Sequence, residues 1–116
     1  LGHVNNAVYA TFYESGRVHF LYGEDGEAMP DGKSFVIAEL TIKFIAEILY
    51  PGQVEVRSGI SRIGNASAQL VQEIWADGEL KSTAQSVVVM IDSTARRSTP
   101  IDDGTRARLE KLLVTA

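Results

Sequence analysis

The sequence predicts an α+β domain in which one long helix is followed by a meander of long antiparallel strands, and three observations carry that expectation. From Asn6 to Tyr22, Val8, Phe12, Val18 and Phe20 mix with Tyr9 and Tyr13 at spacings near 3.6, the period of a helix with a buried face. Val36, Ala38, Leu40, Ile42 and Phe44 then alternate with Glu39, Thr41 and Lys43, the period of two of a strand that buries one side. Two turn signals, Gly64-Asn65 and Asp77-Gly78, divide the rest into hairpins.

Taken in order, Asn5 or Asn6 offers an N-cap oxygen to a helix over about 6–22. The stretch 23–33, rich in Gly, Asp and Glu, reads as a loop, because it holds too little apolar surface to order itself. A first strand is expected over 35–48, broken by Tyr50-Pro51-Gly52. Val54, Val56 and Ile60 carry a second strand to Ile63, and Gly64-Asn65 turns it into a third over 66–76. Asp77-Gly78 is the strongest hairpin signal, since a type I′ turn needs positive φ at both central residues; the fourth strand covers 80–92. After Thr99-Pro100, Asp102 or Asp103 caps a short helix expected to place Leu109, Leu112 and Leu113 on one face. Such a sheet must cover something apolar, and the first helix is the obvious filling.

Composition narrows the function. With 116 residues and 45% apolar content, the chain reads as one globular domain over 1–116 with a single core. The net charge of −4 gives no basic footprint for the nucleic-acid backbone. No cysteine is present, so disulfides and thiolate chemistry are excluded, and the cytoplasm is the expected compartment. The longest apolar stretches, such as 86–91, fall far short of the roughly 20 residues of a membrane helix. His3 and His19 are too few and too far apart to suggest a metal site, and no cofactor is expected. The chain opens at Leu1, straight into a motif and without an initiator methionine, so a natural N-terminal strand is expected to be missing.

The run Gly2-His3-Val4-Asn5-Asn6, continuing to Leu21, closely resembles the signature of hotdog-fold acyl-CoA thioesterases of the 4-hydroxybenzoyl-CoA thioesterase-like superfamily. There, an Asp-x-x-Gly-His-Val-Asn-Asn segment opens the central helix. The resemblance extends through Tyr50-Pro51-Gly52, the segment from Ile63 to Ser67, the strand from Val87 to Asp92 and the run from Arg96 to Ile101. It implies a long central helix wrapped by a curved antiparallel sheet, homodimers joined sheet edge to sheet edge, and tetramers built from them. It also implies hydrolysis of acyl-CoA or acyl-carrier-protein thioesters to free acid and thiol. The usual catalytic carboxylate, the Asp of the motif, aligns just before Leu1, so no residue of this sequence inherits that role.

The remaining machinery can be placed residue by residue. Attack on a thioester puts negative charge on the carbonyl oxygen. The first turn of a helix, with unpaired N–H groups and the positive end of the macrodipole, can stabilise it. Val4, Asn5 and Asn6 are the candidate donors, with plain capping the competing role for the two asparagines. His3 titrates in a useful range, but by the resemblance it shapes the start of the helix and the carbonyl site together with Gly2. Tyr9 is a candidate acyl-pocket wall, with core packing as the alternative. Glu14 and Arg17 read as a surface or interface ion pair. Arg62, Arg96 and Arg97 are candidate cations for the coenzyme A phosphates, and Gly64 and Ser67 flank a turn that in related proteins lies near the pantetheine arm. Two rivals stay open: a noncatalytic acyl-CoA-binding hotdog protein, and a hotdog dehydratase or hydratase.

Overall fold

In the computed structural model, which describes residues 5–23, 29–49 and 52–114, the helical period begins where an asparagine can cap it. Helix α1 runs Asn6–Tyr22, 17 residues, and Asn5 is its N-cap. The buried side chains of α1 are Tyr9, Tyr13, Arg17 and Leu21, spaced four apart, so they form one stripe along the helix. Gly23 ends the helix with φ 76, a conformation glycine adopts without steric cost, and its N–H donates to the His19 carbonyl.

Four long strands follow: β1 Lys33–Phe44, β2 Glu55–Ile63, β3 Ser67–Ala76 and β4 Glu79–Asp92. A two-residue strand, β5 Arg97–Ser98, pairs with the end of β4, and α2 Asp103–Glu110 closes the described chain. The sheet is antiparallel and curved, in the order β1-β4-β3-β2. Register shifts at Ile37/Glu39, Ile60/Arg62 and Ile74/Trp75 add local twist, the usual means by which a sheet bends. No helix among the described residues is long and apolar enough to cross a membrane.

Several boundaries differ from the sequence expectation. The first strand stops at Phe44 rather than 48, because Ile45 and Ala46 both donate their N–H to the single carbonyl of Lys81 and leave the ladder. The strands are not a simple meander: β1 pairs with β4, not β2, because the connection from Ile45 to Val54 is too long for a hairpin and crosses over. The β2–β3 turn is shifted by one residue. Gly64 donates to the Ser67 carbonyl at 2.7 Å, so Asn65 and Ala66 are the turn residues, and neither has positive φ. Asp77-Gly78 behaves as expected, with φ of 54° and 75°. Helix α2 ends at Glu110, so Leu112 and Leu113 do not share its face with Leu109. Leu109 is fully buried, whereas Leu113 is half exposed and bridges to Ile60 of β2.

The inner face of the sheet carries two apolar clusters. Tyr9, Tyr13, Ile48, Ile74, Ala76 and Ala84 form one; Leu21, Phe35, Ile60, Leu70, Met90 and Leu109 belong to the other. Between them sit polar groups. The Tyr13 hydroxyl donates to Ser82 Oγ at 2.7 Å and Ser82 donates on to the Lys43 carbonyl, while Gln72 Nε2 donates to the Tyr13 carbonyl and to Ser58 Oγ. Burial pushes the Tyr13 phenol up, so it stays protonated and keeps donating. The helix approaches the sheet closely at Gly16, where a Cβ would sit 2.8 Å from Val56 Cγ1.

Helix α2 is fastened at its start by Asp102, whose carboxylate accepts from the Thr105 N–H at 3.0 Å and the Thr105 hydroxyl at 2.7 Å. Burial pushes this carboxyl up, but the Thr105 hydrogen bonds, helped by Lys33, outweigh it and hold the group below its ordinary range. A carboxyl whose folded pKa lies below its unfolded value stabilises fully above that unfolded value, about 4, and loses its contribution as pH falls through the folded one. Asp102→Ala should therefore cost about 1 kcal/mol at pH 7 and shrink the stability lost in acid. Urea unfolding at pH 7 and pH 3 checks this; equal acid sensitivity in wild type and variant would place the acid-labile group elsewhere.

Candidate active site at the start of the first helix

The Asn5 side chain accepts from the Ala7 N–H at 2.9 Å, and the Asn5 carbonyl accepts from the Val8 N–H at 2.9 Å. Capping is therefore a role of Asn5, and it uses only Oδ1; the Nδ2 amide remains a donor. The Asn6 N–H, at the first helical position, has no acceptor among the described residues, and Asn6 is exposed. No acidic side chain lies in the first turn to offset the positive end of the helix dipole. An N–H without an acceptor among the described residues therefore sits at the positive end of the helix dipole, an arrangement of the kind that can hold negative charge. Gly2, His3 and Val4 lie outside the described residues.

Tyr9 is almost completely buried. Its ring meets Phe44 edge-on at 4.9 Å and its hydroxyl donates to the Ala46 carbonyl at 3.3 Å. It anchors the helix start to the end of β1, one turn from the free N–H groups.

Arg62, Gly64 and Ser67, well separated from α1 in sequence, line one cavity of about 220 Å³ with Ala68, Gln69 and Val87, beside the β2–β3 turn. Arg96 and Arg97 are exposed at the β4–β5 turn and do not line it. Arg97 pairs with Asp92, five residues along β4 from Val87, or roughly 17 Å at strand rise. A larger cavity of about 490 Å³ lies at the other end of β2 and β3, where Arg57 stacks on Trp75 at 4.4 Å and is tied to Glu55.

Arg17 is not the surface partner of Glu14. It is 9% exposed, forms no ion pair among the described residues, and its Nη1 is buried without an acceptor. Burial lowers its pKa, with only the charge of Glu14 opposing. Its spacing from Tyr9 and Tyr13 placed it on the buried stripe; the basic residue type argued for the surface and prevailed in the sequence reading. Arg106, which reaches from α2 to the β2–β3 turn, had no motif to mark it. Among the described residues no three His, Cys, Asp or Glu come together as a metal site.

The helix start presents an unpaired N–H, and the antiparallel sheet carries a cavity lined by an arginine at the β2–β3 turn. A family model of the thioesterase-like superfamily matches residues 1–109, and the chain belongs to that superfamily. No curated protein matches the sequence. Among solved structures, a predicted thioesterase from Bacillus stearothermophilus is similar at a TM-score of 0.89 and 27% identity, over 99% of this chain and 86% of that one. A thioesterase from Thermus thermophilus, solved with coenzyme A and Zn, is similar at a TM-score of 0.81 and 26% identity, over 96% of this chain and 81% of that one. A gentisyl-coenzyme A thioesterase shares the fold at a TM-score of 0.79 and 22% identity, over 94% of this chain and 88% of that one.

Proposed function

We propose that this protein hydrolyses acyl-CoA thioesters to the free acid and coenzyme A, with the carbonyl held at the start of α1. The observation that carries the reading is the Asn6 N–H, free of any acceptor among the described residues, at a helix end without acidic residues, in a chain of the thioesterase-like superfamily. In this reading a carboxylate upstream of Leu1 attacks the thioester or activates water. The Asn6 N–H, with Val4, His3 and the Asn5 amide, receives the oxyanion, Gly2 leaves room for it, and Tyr9 walls the acyl group. Arg62, Gly64 and Ser67 bind the pantetheine and phosphate end, with Arg96 and Arg97 further along it. That arrangement is supported by the shared cavity at the β2–β3 turn.

The reading also takes 1–116 as one hotdog domain, its sheet wrapped around α1 and completed by a strand from upstream, working in the cytoplasm as a homodimer or a tetramer of two dimers. The two sheet edges support a dimer through β1. At the β2 edge, Leu112 and Val114 occupy the N–H and carbonyl of Ile60. The edge of β1, 12 residues long, pairs with no described residue on its outer side and exposes Ile37, Leu40 and Phe44. A long apolar edge of this kind pairs with another strand unless something covers it.

The test is thiol release by the full-length protein from a panel of acyl-CoA esters differing in chain length and aromaticity. Release above background is expected, and the best substrate sizes the pocket. Silence across the panel together with measurable acyl-CoA binding would replace hydrolysis by the binding-protein reading.

A further inference from the structure

The β2–β3 turn lacks what usually holds a two-residue hairpin. Turns whose twist matches their strands need positive φ at one or both central residues. Asn65 and Ala66 have none, and Asn65 is exposed. The turn is held from outside instead. Arg106 of α2 donates from Nη2 to the Gly64 carbonyl at 2.9 Å and to the Asn65 carbonyl at 3.0 Å. The Ile101 N–H donates to the same Asn65 carbonyl at 2.9 Å, and α2 is fixed in turn by its Asp102 cap. Gly64 is in close contact with Ser67: a Cβ there would stand 2.9 Å from Ser67 Oγ. The Gly64 N–H also donates to the Ser67 carbonyl at 2.7 Å, so the two residues are tied across the turn.

We infer that Arg106 is a positioning residue for coenzyme A binding: its forked bond to the Gly64 and Asn65 carbonyls sets the turn that brings Arg62, Gly64 and Ser67 onto one cavity. The inference rests on the proposed role of that cavity. Arg106 touches backbone, not ligand, and a guanidinium suits the task because its N–H groups lie in one rigid plane, whereas a lysine offers a single flexible ammonium. Two carbonyls held by a charged donor constrain the turn more tightly than neutral contacts would.

The test is titration calorimetry with coenzyme A on the full-length protein, comparing wild type with Arg106→Ala, Arg106→Lys, Arg62→Ala and Ser67→Ala, alongside steady-state kinetics on the acyl-CoA that the panel shows to be turned over fastest. Arg106→Ala should weaken coenzyme A binding about tenfold, the scale on which bonds from charged donors act. It should raise KM by a similar factor with kcat within about twofold, because the helix start is untouched, and Arg106→Lys should recover part of the loss. Arg62→Ala and Ser67→Ala should weaken binding as well. If they do and Arg106→Ala does not, the positioning role is overturned and the cavity reading stands. If Arg106→Ala lowers kcat and melting temperature with Kd unchanged, its role is structural only. If none of the substitutions moves Kd, the cavity does not bind coenzyme A and the inference falls with it.

Discussion

Replacing Asn6 by proline should lower turnover of any accepted thioester about 100-fold while leaving the fold in place. The substitution is unusually clean because of where Asn6 stands. It is the first helical residue, the position at which proline is favoured: the ring's fixed φ suits the helix, and the N–H it removes has no intrahelical partner. The residue before a proline must be extended, and Asn5 already is, with φ −66 and ψ 141. Asn5 can keep capping Ala7 through its side chain. What disappears is the N–H aimed out of the helix start together with the exposed Asn6 carboxamide, and Asn6→Ala, which keeps the N–H, separates the two. Removing a single donor from an oxyanion site costs about 10²–10³ in kcat. The measurement is kcat and KM for the best thioester, together with the melting temperature of the variant. A fall in kcat at unchanged melting temperature supports the site; unchanged kcat in a folded protein would move the carbonyl away from the Asn6 N–H.

Much of the fold could be read from the chain because its local signals agree. The bounds of α1 agree with the sequence expectation, but its buried stripe is Tyr9, Tyr13, Arg17 and Leu21, whereas Val8 and Val18 of the expected apolar period are exposed; Asp77-Gly78 fixed a hairpin whose strands pair through Ala76 and Glu79. Misreadings arose where long-range packing overrides local pattern. Periodicity along β1 does not say which neighbour it pairs with, nor which face is covered: the alternating Val36, Ala38, Leu40 and Phe44 are exposed in one chain, and of the apolar residues of β1 Phe35 is buried and Ile42 half-buried. Leu112 and Leu113 look helical by spacing, but hydrogen bonds to Ile60 draw the segment onto the β2 edge. Asn5 as a helix cap was legible from its residue type and position, and the turn that brings Arg62, Gly64 and Ser67 to one cavity was legible to within one residue. Arg106 was not, because its function depends on two backbone carbonyls more than 40 residues away, and a carbonyl leaves no trace in a side-chain sequence.

Replacing Arg17 by methionine should stabilise the protein by about 1–3 kcal/mol, the usual cost of a buried polar group left without a partner. Methionine has a similar unbranched reach, so it can fill the same space beside Tyr13 and Leu21 without opening a cavity. It also relieves a burial cost that is visible in the lowered pKa of the guanidinium. The neighbouring polar groups do not depend on the arginine: Gln72 bonds to the Tyr13 carbonyl and Ser58, and Tyr13 to Ser82. Two further buried atoms on the same sheet face, Gln72 Oε1 and Ser86 Oγ, also have no partner among the described residues. Arg17 thus stands over a polar seam between the two apolar clusters, and such seams cost stability unless every member is satisfied. The gain should appear as a rise in melting temperature of several degrees at fixed protein concentration, with the oligomeric state measured alongside so that assembly is not mistaken for folding. A loss of several kcal/mol instead would show that Nη1 meets an acceptor, a water or a residue outside those described. The sign of the change therefore reports on the guanidinium itself: stabilisation means that it is a buried group without a partner, and destabilisation means that it has one.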